Sequence, residues 1–221
     1  MIFIDFETRS EANIKETGAW VYSLHPSTDV LCVAVKLNDL PTTLRTAANL
    51  RTMKMLGNIE KTFLYQKIIQ GEELFEAHNA FFEKAIWQNV MVKKYGWPEI
   101  ADHRWRCSAS VAAYHALPRS LKGAGKVLGL DTVKDEEGQR IMLQLAKPKP
   151  KTSEFISEKD QPDKFQILYD YCKKDIDAEH ALAQRLGHLP ERELAIWQLD
   201  QKINMRGVYR SEEHTSELQS H

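Results

Sequence analysis

Short apolar runs mark the first part of the chain. Residues 1–4 are apolar and lead directly into Asp5-Phe6-Glu7, and residues 30–37 are rich in β-branched side chains. Both runs have the length and composition of buried strands. Residues 74–77 predict a further short strand.

Helical periodicity dominates the later part of the chain. Apolar side chains recur at helical spacing from Phe81 onward until Pro98 ends the pattern. Further helices are predicted over residues 108–117, 120–128, 138–146, 165–186 and 191–205, the last of them closed by Gly207. Residues 41–70 are ambiguous and are expected to be helical in part. Strands followed by helices in a mixed order predict an α/β or α+β domain.

Composition narrows the class of protein. The 221 residues are 43% hydrophobic and 28% charged, which is typical of a soluble globular chain. Because the sequence has no apolar run of membrane-spanning length and no secretory leader, we expect no membrane partner and a cytoplasmic location. Cys32, Cys107 and Cys172 are too far apart to suggest a zinc site, and Cys32 is predicted to be buried.

Charge alone indicates no partner, since the net charge is −1. The one dense basic segment is Lys147-Pro148-Lys149-Pro150-Lys151. It suits either a contact with nucleic acid or a solvated linker stiffened by proline.

The polar end of the chain is unlike the rest. Residues 210–220 match, one for one, the translation of a common sequencing adapter. We interpret residues 210–221 as an artefactual tail and expect the natural chain to continue past residue 209. A genuine polar tail is the alternative.

Two acids stand at the end of the first predicted strand. Asp5 and Glu7 are two residues apart, so their side chains share one face of that strand. Neighbouring carboxylates repel each other unless a cation lies between them. The pair therefore predicts either a metal site or a polar strand end that faces water.

Two later segments carry weaker signals. Tyr171 and Asp175 are four residues apart and share one helical face. In the segment from His78 to Glu83, Asn79 is a candidate N-cap and Glu83 a favourable acid in the first helical turn. Each segment taken alone suits an ordinary helix.

The ordered combination is more specific. Residues 3–8, 78–83 and 171–175 together resemble the three exonuclease motifs of the DEDD superfamily, with the tyrosine variant of the third. Residues 77–87, 117–121 and 134–138 narrow the resemblance to the 3′→5′ exonuclease (proofreading) domain of phage-type family A DNA polymerases. The resemblance covers residues 1–209. It implies an α/β, RNase H-like fold, with a central mixed sheet flanked by helices.

The resemblance also implies a chemistry: hydrolysis of a phosphodiester with two divalent metal ions, Mg²⁺ or Mn²⁺. The implied metal ligands are Asp5, which bridges both ions, Glu7 and Asp175, which complete the site that activates water, and Glu83, which supports the second ion. Tyr171 is implied to orient the attacking water. Glu83 departs from the superfamily pattern, which has Asp there, so the longer side chain bears on metal preference.

The implied substrate is a single-stranded or frayed DNA 3′ end, bound without sequence reading. Candidate substrate contacts are Phe6, Thr8, His78, Asn79 and Phe82, together with the lysines of residues 147–151. Residues 1–189 are expected to form the exonuclease domain, and residues 190–209 to begin the connection to a missing polymerase domain in cis. A bacterial or phage-infected cell is the expected setting.

Two rival functions remain. One is a free-standing DEDD exonuclease acting on RNA or short oligonucleotides, since no residue in the sequence distinguishes RNA from DNA. The other is a catalytically inactive module that binds nucleic acid. Occupation of all four acidic positions argues against the inactive module.

Overall fold

A five-stranded mixed sheet organises the computed structural model, which describes residues 1–130, 135–150 and 152–207. The strands lie in the order β3-β2-β1-β4-β5. Their bounds are β1 (Ile2–Arg9), β2 (Asp29–Leu37), β3 (Thr43–Thr46), β4 (Phe75–Ala77) and β5 (Trp105–Cys107). β2 is antiparallel to β1 and β3, whereas β4 is parallel to β1 and β5. β1 is therefore the central strand.

Helices flank this sheet. They are α1 (Ile14–Leu24), α2 (Ala47–Met55), α3 (Phe63–Gln70), α4 (Phe81–Ile86), α5 (Lys93–Tyr95), α6 (Ser108–Tyr114), α7 (Leu121–Val127), α8 (Glu136–Leu145), α9 (Pro162–Leu186) and α10 (Glu191–Arg206). A π-helical segment, Trp87–Val92, joins α4 to α5. Short 3-10 turns occupy Ile59–Lys61 and Asp102–Arg104. The predicted α/β class, with a mixed sheet flanked by helices, is confirmed.

The two faces of β1 contact different helices, because successive side chains of a strand point to opposite sides. The ring of Phe3 lies 5.0 Å from that of His180 in α9. On the opposite face, the ring of Phe6 lies 6.2 Å from that of Trp87, and the Thr8 hydroxyl lies 2.9 Å from that of Tyr22 in α1. Odd-numbered residues of β1 therefore face α9, and even-numbered residues face α1 and the π-helical segment.

The core under α9 is apolar and holds the helix against the sheet. It joins Phe3 and residues of β2 to side chains of α8 and α9, among them Ile141, Leu145, Phe165, Leu168, Cys172 and Ile176. Leu182, nearer the end of α9, packs with Ala112 of α6 and Ala124 of α7. Burial of a side chain of this size contributes about 1.5–3 kcal/mol. The middle of α9 is thereby fixed over β1.

The chain divides into two compact units, Met1–Leu189 and Pro190–His221. The described part of the second unit is α10 with Gly207, whose φ of 70° ends the helix as predicted. None of the helices described here is long and apolar enough to cross a membrane.

Candidate functional site

The end of β1 carries two of the predicted site residues. The ladder between β1 and β4 ends at the pair Phe3–Glu76, so Asp5 and Glu7 lie beyond it. On the other side Asp5 is paired with Ala34 and Glu7 with Cys32. Both carboxyls are on the face of β1 that α9 covers.

Helix α9 brings a thiol to the same place. The Asp5 and Glu7 carboxylate oxygens and the Cys172 sulfur all lie within 4.8 Å of one another. The Cys172 thiol donates to Asp5 Oδ2 over 3.3 Å. No role in the site was predicted for Cys172, although this residue lies between Tyr171 and Asp175 in the chain.

Helix α4 supplies Glu83, which is 4% exposed. Its Oε2 atom is buried and has no hydrogen-bond partner. Burial, and after it the charge of Asp5, raises the pKa of the Glu83 carboxyl well above its usual value. Glu83 is therefore a buried acid with a free oxygen beside Asp5.

The turn before α4 differs from the sequence-based hypothesis. Asn79 was a candidate N-cap, but α4 has no side-chain cap, and its N-cap residue is Ala80. Asn79 adopts a left-handed conformation with φ of 67° and accepts the Phe82 N–H through its backbone carbonyl. The capping hypothesis is wrong because Asn79 forms the turn between β4 and α4.

Burial raises the pKa of each of the four carboxyls, and repulsion within the set adds to the rise for Asp5, Glu7 and Glu83. Burial, with Asp175 next, raises the pKa of Asp5 to about 7, against the opposing hydrogen bond from Cys172. Burial and the charge of Asp5 raise the pKa of Glu7 well above its usual value. Burial also raises the pKa of Asp175 to about 6, which a hydrogen bond with Tyr171 counteracts. At neutral pH the four carboxyls can all be ionised only at a cost, which either bound protons or a bound cation would reduce.

Tyr171 is a proton donor in this arrangement. Burial, followed by the charges of Asp175 and Glu7, raises the pKa of its phenol. The hydroxyl therefore stays protonated near neutral pH. It can donate to Asp175 or to a ligand beside it.

These residues fit a divalent metal. Carboxylate oxygens are the ligands that Mg²⁺ and Mn²⁺ prefer. The unpartnered Glu83 Oε2 is the observation that most directly calls for a ligand, because a buried acceptor without a partner is costly. Asp5, Glu7, Glu83 and Asp175 are the residues that could hold such ions.

The candidate substrate contacts divide into accessible and inaccessible side chains. Phe6 is 4% exposed and packs on Trp87, so its ring cannot stack on a base in this structure. Thr8 is also buried, with its hydroxyl on Tyr22. Asn79 is exposed and Phe82 half-buried. Of these four, only Asn79 and Phe82 offer side-chain surface to a substrate.

His78 begins a chain of polar groups that leads to the buried Ser108 and Glu179. Its Nε2 lies 2.8 Å from the Arg119 carbonyl, which can only accept, so Nε2 carries a proton. Its Nδ1 lies 2.9 Å from the Ser108 hydroxyl, which in turn is 3.1 Å from Glu179 Oε1. Burial lowers the pKa of His78 and raises that of Glu179 well above its usual value. The Ser108 hydroxyl donates to Glu179 Oε1 and so connects the half-buried His78 to this buried acid.

Glu179 and Glu76 extend the acidic region inward. Glu179 is 2% exposed, and the charges of Glu76 and Asp5 help to raise its pKa. Glu76 is fully buried, and neither of its carboxylate oxygens has a hydrogen-bond partner. Sequence reasoning missed Glu179, although its spacing of four residues from Asp175 puts both on one face of α9.

The Pro-Lys segment gives no direct link to the site. Lys147 and Lys149 are exposed, and the Lys149 N–H donates to the Glu154 carbonyl within a local turn. Lys151 lies outside the described residues, as do Lys134 of the phage-type stretch, residues 208–209 and the tail, residues 210–221.

One curated protein is similar to this chain. The DNA polymerase of Bacillus phage SP02 is 29% identical over 213 residues, which cover 93% of this chain and 31% of the phage protein. The chain thus spans about a third of the length of that relative. No protein-family model matches the sequence.

Proposed function

We propose that this chain is a metal-dependent 3′→5′ exonuclease of RNase H-like fold that removes nucleotides from single-stranded or frayed DNA ends. We propose further that it is the proofreading part of a DNA polymerase. The observation that carries the proposal is the set of four carboxyls, of which Glu7 and Glu83 are buried and Asp5 and Asp175 half-buried, with the Tyr171 hydroxyl beside Asp175. Similarity to a phage DNA polymerase supports the context.

Each residue has a proposed role. Asp5, Glu7, Glu83 and Asp175 would hold two divalent ions, which supply an activated water and neutralise charge on the phosphate. Asp5 is central because its charge interacts with Glu7, Glu83 and Asp175. Tyr171 stays protonated and donates a hydrogen bond that orients the attacking water.

Selectivity follows from access to the site rather than from reading of bases. The accessible candidates, Asn79 and Phe82, offer an amide and a ring edge, which suit backbone and stacking contacts with any nucleotide. A mismatched terminus melts more readily than a paired one. It therefore enters the site more often.

A labelled-substrate assay tests the proposal. The protein and its Asp5→Ala variant are each given 5′-labelled single-stranded DNA with Mg²⁺ or Mn²⁺, with EDTA as the metal-free control. We expect stepwise shortening from the 3′ end by the unmodified protein alone. Matched RNA in parallel tests the rival nuclease, which would shorten RNA in preference to DNA. A folded protein that shortens neither polymer with either metal would instead support the inactive binding module.

A further inference from the structure

Gly138 occupies a helical position that does not require glycine for its backbone. It lies in the first turn of α8, where its N–H donates to the capping Asp135 Oδ1 over 2.7 Å. It is not among the glycines with positive φ. Glycine is among the poorest helix formers, so the backbone alone would favour another residue here.

The neighbouring ring explains the glycine. A Cβ atom at position 138 would lie closer than 3.0 Å to Tyr171 Cδ2 in α9. Real Cβ atoms do not approach other atoms so closely, so a side chain here would displace the ring. The same Cβ would lie 2.9 Å from the Asp135 carboxylate, but that group is the end of a side chain and can rotate.

Helix α8 cannot simply move away to make room. Lys174, three residues after Tyr171, forms a 2.6 Å ion pair with Asp135 at the start of α8. Ile141 and Leu145 anchor the rest of α8 in the core beside Phe165 and Cys172. The ion pair of Lys174 with Asp135 places the start of α8 beside the segment of α9 that carries Tyr171 and Asp175.

We propose that Gly138 is a positioning residue: the absence of a side chain at this point of α8 leaves a space, here called the seat, for the Tyr171 ring, and this space holds the hydroxyl beside Asp175. This inference rests on the proposed function for its catalytic consequence. The seat itself is a property of the fold and can be measured without activity.

A thermal-unfolding cycle tests the seat. Gly138→Ala is expected to lower the midpoint of unfolding when Tyr171 is present. In a Tyr171→Ala background the ring is gone, so Gly138→Ala should no longer lower the midpoint. If Gly138→Ala alone fails to fold, the added Tyr171→Ala substitution should restore folding. Gln139→Ala, at the next and exposed position of α8, is the control and has the same effect in both backgrounds. An equal loss from Gly138→Ala in both backgrounds would overturn the proposal.

A second cycle tests the catalytic consequence. Gly138→Ala is expected to lower kcat about tenfold with KM unchanged, as for supporting residues around a metal site. In a Tyr171→Phe background, which lacks the hydroxyl, Gly138→Ala causes no further loss. An undiminished second loss would contradict action through Tyr171.

Failure of the inference is distinguishable from failure of the proposed function. The ¹³C resonance of labelled Tyr171, assigned by its absence in Tyr171→Phe, is expected to shift in Gly138→Ala. An unshifted resonance contradicts the seat even if the protein is an active nuclease. If the resonance shifts in Gly138→Ala but the unmodified protein has no nuclease activity, the seat is supported and the proposed function is rejected.

Discussion

Helices α9 and α10 are both long and both have a proline at the N-terminal end, yet only one is held by a core. Eight of the 25 residues of α9 are buried, whereas none of the 16 residues of α10 is. Ile196, Leu199 and Ile203 of α10 are each more than half exposed. Catalytic groups need supporting side chains that fix them, and α9 provides that support. The candidate site therefore depends on the packing of the first unit.

The largest expected effect is a loss of exonuclease rate in Asp175→Asn, with the same substitution at Asp200 of α10 as its control. Asp175→Asn in α9 removes a proposed metal ligand, and a loss of several kcal/mol in transition-state stabilisation lowers the exonuclease rate about 10³-fold. Asp200→Asn in α10 alters only local hydrogen bonds with Gln201 and Asn204. Initial rates on labelled single-stranded DNA check the contrast. Equal losses of rate in the two variants would contradict a special role of Asp175.

A smaller effect is expected from two tyrosines of α9. Tyr171→Phe removes the proposed water-orienting hydroxyl and lowers kcat by about 10–100-fold, the range typical of groups that support a metal site. Tyr169→Phe removes a 2.7 Å hydrogen bond to Glu158, so it lowers stability and leaves kcat unchanged. Turnover measured at saturating substrate distinguishes the two. A kcat loss in Tyr169→Phe would mean that packing, and not the Tyr171 hydroxyl, governs turnover.

The metal-free protein should lose stability as pH rises. The pKa of Asp5 is about 7 and that of Asp175 about 6, against 3.8 ordinarily. Between pH 4 and 7 the folded state thus keeps protons that the unfolded chain releases, and the free energy of unfolding falls with rising pH. At about 1.4 kcal/mol per pKa unit, the two shifts together predict a fall of about 4 kcal/mol from pH 5 to 8. Urea unfolding with EDTA measures it.

Asp5→Asn provides the control for this pH dependence. Its amide does not titrate, so the fall in stability with rising pH should be smaller in the variant than in the unmodified protein. Addition of Mn²⁺ at pH 8 should stabilise the unmodified protein more than the variant. Identical pH profiles of the two proteins would rule out Asp5 as the source of the fall.

The smallest effect is expected from removal of α10. A chain of residues 1–189 retains the compact first unit and the four carboxyls. Because α10 has no buried residues, the exonuclease rate should stay within about twofold and the unfolding midpoint should change little. A large loss of activity would show that the site depends on the second unit.

Sequence patterns predicted the elements with strong periodicity. The strands β1, β2 and β4 and the helices from α6 to α10 follow from apolar runs, helical spacing and prolines. β3 and β5 were missed although the equally short β4 was predicted; β3 is mostly polar and at least partly exposed along its length, so it has no apolar run. α1 was missed because Gly18, with φ of 73°, interrupts its helical backbone.

The candidate site was predictable only in part. Alternation along β1 predicted that Asp5 and Glu7 share a face, and helical spacing predicted the same of Tyr171 and Asp175. Cys172 could not be placed from spacing, since its contact with Asp5 depends on how α9 crosses the sheet. The left-handed turn at Asn79 depends likewise on the path from β4 to α4.

A metal-binding measurement shows whether the end of β1 holds a divalent ion. Mn²⁺ titrated into the protein at pH 8 is followed by electron paramagnetic resonance of the free ion, with Asp5→Asn as the variant and Asp200→Asn as the matched control. We expect the unmodified protein and Asp200→Asn to bind Mn²⁺ alike, and Asp5→Asn to lose most of this binding. Equal binding by all three proteins, or none by any, would contradict a metal site at the end of β1.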